Sequence, residues 1–153
     1  MSAPPIPPGY HSITPYLAVD GAARAIEFYT SVFGARERLR LPRPDGGIAH
    51  AELEIGDSLL MLADPWPGGN FAAPHGEAVA VSIHLYVPDV DAVFARAVIA
   101  GATPERSVAT QFYGDRSGTL RDPFGHRWHI STHIEDVSLE EIGRRMTAGP
   151  TSA

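Results

Sequence analysis

The chain has 153 residues, 44% of them hydrophobic and 20% charged, which suits one globular domain with a real core and excludes a disordered tail or two full-sized domains. Cysteine is absent and all 12 basic residues are arginine, so disulfides, thiolate nucleophiles, Cys-ligated metal clusters, Schiff-base lysines and phosphate-loop lysines are excluded. A net charge of −6 argues against nucleic-acid or anionic-membrane partners and mildly favours a cationic ligand. No run approaches the ~20 apolar residues of a membrane span. The segment MSAPPIPPGY lacks a secretory pattern, so a cytoplasmic location is expected.

Residues 1–10 are proline-rich and read as a flexible arm. His11 to Val19 is a short β-prone run closed by Asp20-Gly21. Ile26, Tyr29, Val32 and Phe33 fall at helical spacing within Ala22 to Phe33, and Gly34 stops the helix. Ile48 to Ile55 alternates, with His50, Glu52 and Glu54 on the polar face, and Gly56-Asp57 turns the chain into a strand over Ser58 to Ala63. Residues 65–78, rich in proline and glycine, form a linker.

The order then repeats. A strand over Val79 to Val87 leads to Asp89, an amphipathic helix over Val90 to Ala100, and a stop at Gly101. Strand-like material from Thr110 to Leu120, the turn Asp122-Pro123-Phe124-Gly125 and a strand over Arg127 to His133 follow. Ser138-Leu139-Glu140-Glu141 is a capping box for a last helix, and 147–153 form a flexible tail. Asp20 and Asp89 stand 69 residues apart, Gly34-Ala35 and Gly101-Ala102 67 apart. Two βαβββ modules, 11–64 and 79–135, inside a single domain over 11–146 account for this spacing. Asp20 and Asp89 read as helix N-caps, Asp122 to Gly125 as a structural turn, and Trp128 as core.

The strings "DGAARAIEFYTSVFGA", "HAELEIGDSLLMLAD", "YVPDVDAVFARAVIAGA", "FYGDRSGTLRDPFGHRW" and "THIEDVSLEE" resemble the vicinal oxygen chelate (VOC) superfamily of glyoxalases, bleomycin-resistance proteins and extradiol dioxygenases, and within it the PhnB-like branch. The resemblance implies an α+β fold in which two βαβββ modules form U-shaped mixed sheets around a cavity, often near a dimer interface. In the enzymes of that superfamily a divalent metal is held by first-strand and last-strand residues of each half. Counted from Asp20, Asp89 and Asp122, those positions fall on Ile13, Met61, Ser82 and His129, of which only His129 is a good donor for a hard cation. The resemblance therefore implies a small-molecule-binding protein without the usual four-ligand metal site and without another cofactor. The alternative is a metal-dependent lyase, isomerase or dioxygenase with a relocated His/Glu site, and the sequence leaves open whether the chain is an enzyme.

Strand parity adds His84 and Tyr86 to Ser82, and Arg127, Ser131 and His133 to His129. His129 and Glu52 are the candidate catalytic residues. His50, His84, Tyr86, Tyr113, Arg116, Met61 and Ser82 are the candidate ligand-binding residues. Tyr113-Gly114-Asp115-Arg116 reads either as a ligand grip or as a tight turn in which Asp115 pairs with Arg116. No nucleotide-binding loop, nucleophile elbow or HExxH motif occurs. The expected partners are a small molecule and a second copy of the chain.

Overall fold

Alternating and helical apolar patterns become, in order, β1 (Tyr16–Ala18), α1 (Ala22–Phe33), β2 (Arg36–Pro42), β3 (Ile48–Ile55) and β4 (Ser58–Ala63), then β5 (Ile83–Tyr86), α2 (Val90–Ile99), β6 (Thr103–Thr110), β7 (Asp115–Arg121) and β8 (Arg127–His133), with α3 (Leu139–Thr147) at the end. These elements come from a computed structural model, which describes residues 2–149. Residues 150–153 of the expected tail lie outside the described residues, and Thr147 belongs to α3 rather than to the tail.

The chain divides into two units, 1–78 and 79–153. Each carries a four-stranded mixed sheet, ordered β1-β4-β3-β2 in the first and β5-β8-β7-β6 in the second. In both, the first strand pairs in parallel with the last and the other neighbours are antiparallel. The βαβββ repeat is thus complete in each unit. β2 and β6 are exposed edge strands of charged and apolar residues without an alternating pattern, which is why neither stood out in the sequence.

One face of each sheet carries the helix. In the first unit Leu53, Leu62, Tyr29 and Val32 are fully buried. In the second, Leu120, Ile130, Trp128 and Val90 fill the same role, and each such side chain contributes about 2 kcal/mol of burial. Trp128 is core as expected, its Nε1 donating to Asp122 Oδ2 at 2.8 Å. Asp122 Oδ1 also accepts from the backbone N–H groups of Phe124 and His126, so the turn is structural.

The two helices are capped differently. Asp89 accepts from Ala92 N at 3.1 Å, as expected of an N-cap. Asp20 does not cap α1. The N-cap is Gly21, at φ +94°, and Asp64 Oδ1 reaches across from the end of β4 to accept from Gly21 N and Ala22 N at 2.8 and 3.0 Å. The reason is backbone geometry: Gly21 adopts a left-handed conformation that frees the chain from Asp20, and a more distant carboxylate takes the exposed N–H groups.

Candidate functional site

The face of each sheet opposite its helix is the one with polar side chains. In the second unit β8 alternates as expected: Trp128 and Ile130 are buried on the helix side, while Arg127, His129, Ser131 and His133 point the other way. Strand pairing sets His84 directly beside His129. Their rings are 5.9 Å apart, and the Tyr86 ring stacks on His84 at 4.7 Å and 18°. His84 Nε2 lies 2.8 Å from Ser131 Oγ, and Thr119 Oγ1 lies 2.9 Å from His129 Nδ1.

This face holds a cavity of about 530 Å³ lined by His84, Glu105, Arg106, Tyr113, Ser117, Thr119, Arg127 and His129. Three of the sequence-derived candidates, His84, Tyr113 and His129, therefore share one pocket. Glu105, Arg106, Ser117 and Thr119 were missed. They sit on edge strand β6 and on β7, where a polar alternation against Gly118 and Leu120 was the available signal. Burial, then the charges of His84, Arg106 and Arg127, pull the His129 pKa below its ordinary 6.5, with Glu105 opposing. His129 is accordingly a neutral imidazole at pH 7.

Other candidates stand elsewhere. Tyr86 donates to Asp115 Oδ2 at 2.9 Å, and the other Asp115 oxygen lies 2.7 Å from His133 Nδ1. Asp115 is thus the buried centre of a Tyr86–Asp115–His133 chain and does not pair with Arg116. Arg116 alternates to the opposite face, where Asp91 of α2 takes its guanidinium in a two-pronged bridge at 2.7 and 2.8 Å. Neither grip nor turn describes Arg116; it ties helix to sheet. Gly114 does carry the turn, at φ +103°, with its carbonyl accepting from Ile134 N and Glu135 N. Ser82 precedes β5 and does not line the cavity.

The first unit holds its own polar group. The Tyr16 hydroxyl lies 2.6 Å from His50 Nδ1, and His50 Nε2 lies 3.1 Å from Glu52 Oε1. The Tyr10 hydroxyl is shut off from solvent and makes no hydrogen bond of good geometry, yet lies near enough to Glu52 for each to act on the other. Burial, then Glu52, pushes Tyr10 up to about 12, while the Tyr10 hydroxyl, with His50 and Arg38 behind it, holds the Glu52 carboxyl below its usual range. The Arg38 guanidinium lies 5.9 Å from the Tyr10 ring centre, so the end of the proline-rich arm rests on this face. Met61 is beside both Tyr16 and Glu52 in register. Trp66, in the linker, carries the Arg43 guanidinium 4.3 Å above its ring.

Cross-strand pairing corrects the inherited metal positions. Met61 pairs with Tyr16 and His129 with His84, so the first-strand positions are Tyr16 and His84; Ile13 and Ser82 lie outside the strands. Asp20 and Asp89 are not equivalent positions, and β1 and β5 begin after the residues seven places before them. Gly21 and Asp89, Ala22 and Val90, and Met61 and His129 all stand 68 residues apart. With that register the second unit offers two imidazoles and the first a phenol and a thioether. A hard divalent cation does not fit either set: the imidazoles face Arg106 and Arg127, and a thioether is a soft donor. Among the described residues no three His, Asp or Glu side chains converge as a metal ion requires.

The family model of the Glyoxalase/Bleomycin resistance protein/Dioxygenase superfamily matches residues 9–130. The chain is 43% identical over 141 residues to the uncharacterized protein Rv0887c of Mycobacterium tuberculosis, covering 90% of this chain and 83% of that one. Among solved structures it is similar to TioX from Micromonospora sp. ML1, at 29% identity and a TM-score of 0.64 over 81% of this chain and 99% of the other. It also shares its fold with a PhnB protein from Bacillus cereus, at 21% identity and a TM-score of 0.65 over 80% and 99%. With its paired βαβββ units and a match over most of its length, the chain belongs to the glyoxalase/bleomycin resistance protein/dioxygenase superfamily.

Proposed function

We propose that the protein binds a small molecule on the open face of its second sheet, without the superfamily's four-ligand metal site. The observation that carries this reading is the 530 Å³ cavity, a size suited to a small ligand, with neutral His129, His84 and Tyr113 on its wall. The donor set at the inherited positions supports a metal-independent mode. Nucleic acid is a poor partner for a chain of charge −6.

The test is a thermal-shift screen of metabolites, 2-oxoaldehydes and glycopeptide antibiotics, followed by titration of each hit against His129→Ala. Loss of about 1–3 kcal/mol of binding, with folding intact, is the expected result for a polar wall residue left unmade. A ligand that binds the variant equally well overturns the assignment. Elemental analysis of protein purified without chelators supplies the second check, since one Zn, Ni, Mn or Fe per chain would overturn the metal-free reading.

A second reading, acid–base catalysis, is favoured by the Tyr16–His50–Glu52 chain. Glu52 and the Tyr16 hydroxyl flank the two ring nitrogens of His50, an arrangement suited to passing a proton without a metal. An isomerase or lyase of this kind would lose turnover on His50→Gln while keeping its ligand affinity.

A further inference from the structure

The charge on the cavity wall is opposite to that of the molecule. The chain carries a net −6, but the cavity is lined by Arg106 and Arg127 against one carboxylate, Glu105. That carboxylate is already engaged. Both of its oxygens accept from Arg127, Oε1 from Nε and Oε2 from Nη2, each at 2.8 Å. Arg106 is left as the cation without a counter-charge: among the described residues no carboxylate stands within ion-pair distance of it. It donates one N–H to Ser117 Oγ at 3.0 Å, which aims the guanidinium while leaving other donors unused.

The neighbouring groups are also donors. The Thr119 hydroxyl lies 2.9 Å from His129 Nδ1, a pairing in which a hydroxyl that donates leaves the ring proton on Nε2, and Tyr113 adds a phenol to the wall. Beside them His84, which lines the cavity, stacks on the neighbouring Tyr86 ring and offers a flat ring surface. We propose that the ligand of this cavity bears an oxyanion, a carboxylate or a phosphoryl-type group, held by Arg106 with His129 and Tyr113, and a planar or apolar portion set against the His84 ring. This rests on the reading of the cavity as the ligand site. It reverses the preference for a cationic ligand drawn from net charge, because a local unpaired guanidinium outweighs distant, screened carboxylates.

The experiment uses the full chain with benzoate, phenylphosphonate and the neutral isostere benzamide as probes. Binding is read by amide and imidazole NMR shifts at constant ionic strength. Saturable shifts centred on Arg106, Ser117 and His129 for the two anions are expected, with benzamide about tenfold weaker or worse. The ratio of benzoate to phenylphosphonate affinity tells a carboxylate from a phosphoryl preference. Arg106→Gln should lower anion affinity about tenfold, and Arg106→Lys should recover part of it through charge alone. Equal binding of benzamide and benzoate in the cavity, unaffected by Arg106→Gln, overturns the anion assignment and leaves the cavity as a binding site. No cavity shift with any of the three probes at millimolar concentration overturns the anion assignment and the binding reading together.

Discussion

His129 shows how one side chain's surroundings set its chemistry. Burial and the positive groups His84, Arg106 and Arg127 disfavour its charged form, and Glu105 only partly compensates. The sign of two pH effects follows. Because its folded pKa lies below 6.5, the folded state binds fewer protons than the unfolded one as pH falls from 6.5. The contribution of His129 to stability is therefore complete above that value and is lost on acidification through the window below it. Anion binding goes the other way, since an oxyanion stabilises the imidazolium and each protonated His129 adds a cation to the wall. Benzoate, which stays ionised, should bind about fivefold more tightly at pH near 5.5 than at pH near 7.5, a gain absent in His129→Gln. Titration calorimetry at the two pH values measures it, and a flat profile in the wild type contradicts the assignment. His129 was legible through the resemblance to the superfamily's last-strand ligand position, and His84 through strand parity. Arg106 was not, since a charged residue on an exposed edge strand looks like any solvated surface arginine until its missing counter-ion is seen.

The capping of the two helices shows what a repeated module keeps and what it replaces. Asp64 and Thr132 stand 68 residues apart, as do Ala22 and Val90, the residues they serve. Thr132 Oγ1 accepts from Val90 N at 2.9 Å and donates to Val87 O, whereas Asp64 accepts from Gly21 N, Ala22 N and, through Oδ2 at 2.7 Å, Ile48 N. A side chain in or just past the last strand ties the helix start in both units, but only the first unit relies on it alone, because Gly21 has no side chain to cap with. Asp64→Ala should destabilise the protein by about 3 kcal/mol, and Thr132→Ala by about 1 kcal/mol because Asp89 still caps α2. Denaturant unfolding of the two variants compares them; equal losses would mean that the long-range cap carries no special weight. The helices and the hairpin over Ile48 to Ala63 could be read from periodicity, and Ser138 caps α3, its Oγ accepting from Glu141 N at 3.2 Å, while the Glu141 carboxylate turns to Arg144 and Arg145 instead of closing the capping box. The distant cap could not, since nothing local marks Asp64 as a partner of Gly21.

At the scale of the whole chain, the two sheets share one topology and leave open edges. β2 and β6 each have a neighbour on one side only, and every residue of β2 is exposed. Leu39 and Leu41, two residues apart on one face of β2, are 38% and 48% exposed, interleaved with Arg36, Arg38 and Arg40. Charged residues on an edge strand discourage indiscriminate pairing, and an apolar pair between them leaves a short stretch that a partner of matching register can bury. A second copy presents that stretch again under two-fold symmetry, so the edge is self-complementary in a way that a different protein's edge is not. The expected assembly is a homodimer. Sedimentation at micromolar concentration should give a single species of about twice the chain's 16.4 kDa, and Leu41→Glu should return it to the monomer mass without loss of the folded far-UV signal. A 16.4 kDa species in the wild type overturns the dimer, and a dimer that survives Leu41→Glu moves the interface away from β2. Because the cavity residues lie in the second unit and β2 in the first, the monomeric variant also separates assembly from binding: benzoate affinity retained in Leu41→Glu shows that one chain suffices for the oxyanion site, and affinity lost with the dimer shows that the partner completes it.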